Sequence, residues 1–112
     1  MALVTEQAAF LLDMGKLVVW ATDQGWTVTG GELARTLEQQ AIYVKTGRSK
    51  TMNSNHLRRL AEDLNFFKDG KLVYDREQLR PVGEYWESLN PQNRWGGNFK
   101  SLVDVPHFER NV

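Results

Sequence analysis

Apolar positions along the 112-residue chain fall into three helical stripes separated by short β-prone runs. Between Thr5 and Thr22, Phe10, Met14, Leu17 and Ala21 recur at steps of four and three, with Leu11 and Val18 widening the face. That period predicts an amphipathic helix. Gly25 interrupts it, and Trp26-Thr27-Val28-Thr29 is aromatic and β-branched, which predicts a short strand.

Two helix starts compete next, because Thr29-Gly30-Gly31-Glu32 and Thr36-Leu37-Glu38-Gln39 both have the capping-box spacing. The second is favoured: Gly30 and Gly31 are poor in a first helical turn and continue a strand or bend more easily. Leu37, Ala41 and Val44 then form the buried stripe of a helix ending at Gly47, which leaves Arg35 at the strand-to-helix junction. Arg48 to Asn55 reads as a loop. Leu60 to Phe67 reads as a strand, joined through the turn signal Lys68-Asp69-Gly70-Lys71 to Leu72-Val73-Tyr74. Pro81 suits a first helical turn, and Val82, Trp86 and Leu89 form one helical face. Asn90 to Asn98 reads as a loop containing Trp95-Gly96-Gly97, and Leu102 to Phe108 as a final strand. With no repeat or linker, the expectation is one α+β domain over residues 1–112, a small antiparallel sheet with packed helices.

Composition narrows the chemistry. With 41% hydrophobic and 11% aromatic residues the chain can bury a core. Zero cysteines exclude disulfides, thiolate metal sites and a thiol nucleophile. Fourteen basic residues balance fourteen acidic ones, which argues against a nucleic-acid partner. The apolar N-terminal stretch has Glu6 ahead of it and is broken by Asp13 and Lys16, so neither a signal peptide nor a membrane span is expected. The expected product is made in the cytoplasm, does not insert into membranes and is monomeric. Metal or general-base chemistry must then come from two histidines and the carboxylates.

Each histidine has an aspartate nearby: His56 precedes Asp63, and Asp104 precedes His107. If residues 56–63 were helical, His56 and Asp63 would stand about 10 Å apart along the axis; extended, roughly 23 Å. The two can share one ion only if Leu57 to Leu60 turns the chain back, with His107 arriving from the last strand. Two histidines, one aspartate and an open fourth position make a catalytic zinc set rather than a structural one. Its residual positive charge would acidify water and polarise a carbonyl. Asp104 is the first candidate for the general base beside that ion, with Glu109 as its competitor if the strand stays regular. Arg35 can stabilise an oxyanion or clamp a carboxylate, and a surface salt bridge is an equal alternative.

At these residues the chain resembles the zinc-dependent cell-wall peptidases that include D-Ala-D-Ala carboxypeptidases, dipeptidases and phage L-alanyl-D-glutamate endopeptidase endolysins. The matching blocks are Arg35-Thr36-Leu37-Glu38-Gln39-Gln40, Ser54-Asn55-His56 through Ala61-Glu62-Asp63, and Asp104-Val105-Pro106-His107-Phe108-Glu109; Trp95-Gly96-Gly97 resembles the endopeptidase branch. The resemblance implies the hedgehog/DD-peptidase fold, one zinc ion on His56, Asp63 and His107, Asp104 as catalytic base and Arg35 as transition-state stabiliser. Ser54, Gln39, Trp95 and Glu109 would support the ligands or meet substrate. Leu37 stands where relatives often have Pro, and Arg59 where carboxypeptidase relatives often have Gly, which favours the endolysin branch. The implied substrate is the peptidoglycan stem peptide, reached after a partner protein permeabilises the inner membrane. A carboxypeptidase and a non-catalytic wall-binding virion domain are the alternatives. Of the four tryptophans, Trp20 and Trp86 are expected in the core, while Trp26 and Trp95 are candidates to line a groove.

Overall fold

Helix α1 (Leu3–Asp23) buries Phe10, Met14, Leu17 and Ala21, the predicted stripe. The buried face continues through Glu6 and Asp13, whereas Leu11 is exposed. A charged residue takes the inward place because the Asp13 carboxylate accepts hydrogen bonds from Arg110 Nη2 at 2.7 Å and from Asn93 Nδ2 at 3.3 Å. The chain leaves the helix through Gly25, whose φ of 97° favours glycine. A computed structural model describes residues 2–31, 37–46 and 55–112. The two candidate capping boxes, Gly47 and most of the loop after it fall partly or wholly outside those residues.

The remaining elements are β1 (Thr27–Gly30), α2 (Leu37–Lys45), β2 (Ala61–Lys68), β3 (Lys71–Val73), α3 (Arg76–Leu89), β4 (Asn93–Trp95) and β5 (His107–Arg110), with a 3-10 turn at Gly96–Asn98. They form the expected α+β arrangement, an antiparallel sheet ordered β1-β2-β5-β4 with β3 also paired to β2. β2 is central. Its C-terminal half lies against β1 and β3, and its first residues pair with β5. The Asp69-Gly70 tip has positive φ at both residues, 53° and 76°, the backbone a tight hairpin requires.

Several expectations shift. α2 presents Gln40 inward, fully buried, while Ala41 is exposed. α3 starts one turn earlier than the Pro81 signal, because the Asp75 side chain caps it by accepting from Gln78 N at 3.0 Å. Pro81 therefore sits inside the helix on its exposed side, where solvent reaches the carbonyl left without a donor. The segment read as a loop before Gly96 contains β4, and β5 begins only at His107, after an irregular stretch in which Leu102 has φ 53°. Among the described residues no helix is long and apolar enough to cross a membrane.

The core gathers Phe10, Leu17, Phe66, Trp86 and Phe108 between α1, α3 and the sheet. Trp86 meets Phe10 and Phe108 edge-on, at 5.6 and 6.1 Å between ring centroids. Trp20 is only half-buried, stacked on Tyr85 at 4.6 Å. Trp26 and Trp95 do not line a groove: both are buried. The Trp95 indole lies against Gly83 of α3 and Gly97, and its Nε1 donates to the Val105 carbonyl at 2.8 Å. A Cβ at Gly83 would stand 2.1 Å from that ring. Gly83→Ala should therefore destabilise the protein by a net ~2 kcal/mol, the upper end of the overpacking range (~3 kcal/mol) less the ~1 kcal/mol regained in helix propensity. Urea unfolding should show a lower midpoint at unchanged slope; an unchanged or higher midpoint would refute this packing.

Candidate metal centre

His56 sits in a tight turn at residues 55–59, just ahead of β2. The Asn55 carbonyl accepts from Arg58 N at 3.1 Å and Leu60 N at 2.9 Å, so the chain doubles back as sharing an ion requires. Arg59 closes the turn at φ 57°. Glycine would suit this left-handed backbone; arginine adopts it at a cost of about 1–2 kcal/mol. Asp63 follows on β2, and the antiparallel register sets it directly opposite His107 on β5.

Three ligand atoms converge. His56 Nε2 and His107 Nδ1 are 3.2 Å apart, and Asp63 Oδ1 lies 3.4 Å from each nitrogen. Ligands about 2.0–2.1 Å from a common tetrahedral centre stand about 3.3–3.4 Å from one another, so the triangle has the edges a tetrahedral ion requires. His56 and His107 are buried, and Asp63 Oδ1 is a buried oxygen with no hydrogen-bond partner. An unsatisfied carboxylate oxygen facing two ring nitrogens fits a cation at their centre. Among the described residues this is the one cluster of three or more His, Asp or Glu side chains with such spacing.

The electrostatics agree. Burial opposes ionisation of Asp63, yet the hydrogen-bonding proximity and charge of His107 and His56 hold its carboxyl well below the usual carboxylate range. Burial likewise opposes a charged His107, but Asp63 and Glu109 on its two sides push its pKa up to about 9. The surroundings of this imidazole thus favour positive charge, whether a proton or a metal supplies it.

Glu109 was the alternative base. β5 is regular, so its side chain does face the same way as His107, but it meets the far edge of the ring: Oε1 lies 2.7 Å from His107 Nε2. That bond makes Nε2 the protonated nitrogen and leaves the Nδ1 lone pair for a metal, the carboxylate–histidine arrangement common behind metal ligands. Glu109 thus lies across the His107 ring from Asp63. Burial raises its own pKa, but His107 and Arg94 outweigh burial and keep it ionised.

Asp104 is exposed and lies in the turn before β5, not on the strand as expected. Its N–H donates to the Gly96 carbonyl at 3.0 Å, and its carbonyl accepts from His107 N at 3.1 Å. Gly96 allows this contact, since a Cβ there would lie 2.0 Å from the Asp104 carbonyl oxygen. Trp95-Gly96-Gly97 is therefore the seat of the turn joining Asp104 to His107, and Trp95 is fully buried. Arg35 and Ser54 lie outside the described residues. Gln39 is half-buried, whereas its neighbour Gln40 is the fully buried glutamine of α2. Asn55 and Arg94, both bound to Glu109, were not singled out by sequence reasoning. Arg94 could have been found only by placing β4 beside β5.

Comparison with known proteins identifies the family. A family model described as D-alanyl-D-alanine carboxypeptidase matches residues 47–110. The chain is 37% identical over 100 residues to the L-alanyl-D-glutamate peptidase of Listeria phage A118, covering 86% of this chain and 34% of that protein. It is similar in structure to the crystal structure of the Serratia marcescens L-Ala D-Glu endopeptidase ChiX, with TM-score 0.64 and 25% identity, covering 75% of this chain and 66% of that one. The chain thus spans about a third of the phage relative's length and about two thirds of the Serratia chain. The aligned family segment contains His56, Asp63, Asp104 and His107, and the chain belongs to the D-alanyl-D-alanine carboxypeptidase family of peptidases.

Proposed function

We propose that the chain is a single zinc peptidase domain that hydrolyses the L-alanyl-D-glutamate bond of peptidoglycan stem peptides. The observation that carries this reading is the His56–Asp63–His107 triangle, with ligand edges of 3.2–3.4 Å around an unsatisfied Asp63 oxygen. Zinc is the ion of choice because two imidazoles and a carboxylate in tetrahedral disposition suit it, and three protein ligands leave one position open. The names of the phage and Serratia relatives support the choice of bond. Acting on such a wall, the enzyme would reach its substrate once the inner membrane is permeabilised.

Zinc, when bound, supplies Lewis acidity that polarises the scissile carbonyl and activates water. The chain's own residues do the rest. His56, Asp63 and His107 hold the ion, and Glu109 fixes the tautomer of His107. Asp104, on the turn shared with His107, takes the proton of the attacking water and returns it to the leaving amine. Arg35 balances negative charge developing on the carbonyl oxygen.

Metal analysis of the purified protein should find one zinc per chain. Chelation should abolish hydrolysis, zinc should restore it, and loading should raise the melting temperature; full activity in metal-free protein would end the scheme. Asp104→Asn should keep its zinc while turnover falls by about 10²–10⁴-fold. Loss of zinc from that variant would make Asp104 a ligand instead. Mass spectrometry of digested stem peptides should reveal fragments with a new N-terminal D-Glu. Release of free D-Ala in their place would identify a carboxypeptidase, and no cleavage at all a wall-binding module.

A further inference from the structure

Glu109 is the meeting point of side chains from three segments. Its Oε1 accepts from His107 Nε2 at 2.7 Å. Its Oε2 accepts from Asn55 Nδ2 at 3.0 Å and from Arg94 Nε at 2.8 Å, with Arg94 Nη2 on the same oxygen. Asn55 begins the turn that carries His56, Arg94 is the cross-strand partner of Glu109 on β4, and His107 lies two residues before Glu109 on β5. An ionised carboxylate is acceptor-only and can serve all these donors, whereas glutamine would turn an N–H₂ toward one of them.

We propose that Glu109 clamps the metal centre, with Asn55 and Arg94 as positioning residues. The Arg94 fork holds the carboxylate so that Oε1 stays on His107, and Asn55 ties the start of the His56 turn to the same group. One side chain therefore sets both the tautomer of one histidine ligand and the place of the other. The backbone does not need this link to join turn and strand, because Arg110 N already donates to the Leu60 carbonyl at 2.8 Å. What the Asn55–Glu109 bond adds is control at the residue next to His56. The proposal rests on the metal-centre reading above.

The test is zinc affinity, measured by competition with a chromophoric chelator. The visible spectrum of the cobalt-loaded protein provides a second readout, with urea unfolding of the metal-free chain as control. Glu109→Gln should weaken zinc binding by about 10–100-fold, and Asn55→Ala by about 3–10-fold, the worth of one hydrogen bond. The double variant should lose less than the sum of the two single losses, because both act through the Glu109 side chain, and the cobalt spectrum should change in each single variant. Asn55→Asp needs no folded Glu109 variant for its interpretation. It adds a negative charge near the cation, yet should bind zinc more weakly than Asn55→Ala because it repels Glu109. Fully additive losses, wild-type affinity and cobalt spectrum in Asn55→Ala, or tighter binding in Asn55→Asp would each overturn the clamp. A wild-type chain that takes up no zinc would instead overturn the metal-centre reading itself.

Discussion

The antiparallel pairing of β2 with β5 is the constraint on which the site depends. It sets Asp63 opposite His107, Glu62 opposite Phe108 and Ala61 opposite Glu109. Side chains alternate along a strand, so a slip of one residue would turn His107 into the core and send Phe108 to the metal face. The register is held from both faces. Phe108 packs on Phe66 and Trp86, with ring centroids 5.8 and 6.1 Å away. The ladder ends at Pro106, which has no N–H to extend it but still accepts from Leu64 N at 2.9 Å.

All four residues of β5 are buried, although three of them are polar. Their partners explain how the strand tolerates this. His107 and Glu109 satisfy one another on the metal side. On the core side Arg110 donates to Asp13 at 2.7 Å and to Asn93 at 3.2 Å, with Glu6 3.9 Å away. A buried ion pair of this sort contributes little net stability relative to well-packed apolar residues, but an unpaired buried arginine would cost several kcal/mol, on the order of 3–5. Arg110 therefore acts chiefly against alternatives: any register that moved it away from Asp13 would strand a charge. The same register delivers His107 to Asp63, so the polar cluster under β5 enforces the geometry of the site above it.

Much of this was legible in the chain. The Phe10–Ala21 stripe, the Asp69-Gly70 hairpin and the α+β class follow from local periodicity and turn chemistry. The clustering of His56, Asp63 and His107 was legible because a chain with two histidines leaves few ways to build a metal site. Positions whose roles depend on partners distant in sequence were not. Asp13 is buried only because Arg110 waits for it, which displaced Leu11 from the predicted face. Gln40 and Gln39 are indistinguishable until the phase of α2 is known. Trp95-Gly96-Gly97 carries the composition of an exposed loop, yet its glycines exist to let the indole and the Asp104 carbonyl approach. Pro81 signalled a helix start, but the stronger cap at Asp75 lies upstream. Arg94 had no visible partner, because β4 is three residues long and too short to show alternation.

The centre also constrains where bond choice can reside. On the proposed reading, three ligands, a base on the same turn as one of them and a carboxylate behind it would supply hydrolytic machinery for a peptide carbonyl; nothing in that set would distinguish one stem-peptide bond from another. Residues 47–110 match a family described by carboxypeptidase activity, while the relatives matched over most of the chain are named for cleavage between L-Ala and D-Glu. The names attached to the matches thus differ in the bond cleaved. On that reading, discrimination comes from outside the ligands, base and supporting carboxylate. Within the His56–Asp63 block itself, Arg59 stands out. There a left-handed turn that would suit glycine presents a long cation three residues from His56, and the strain is borne by the turn that positions the ligand.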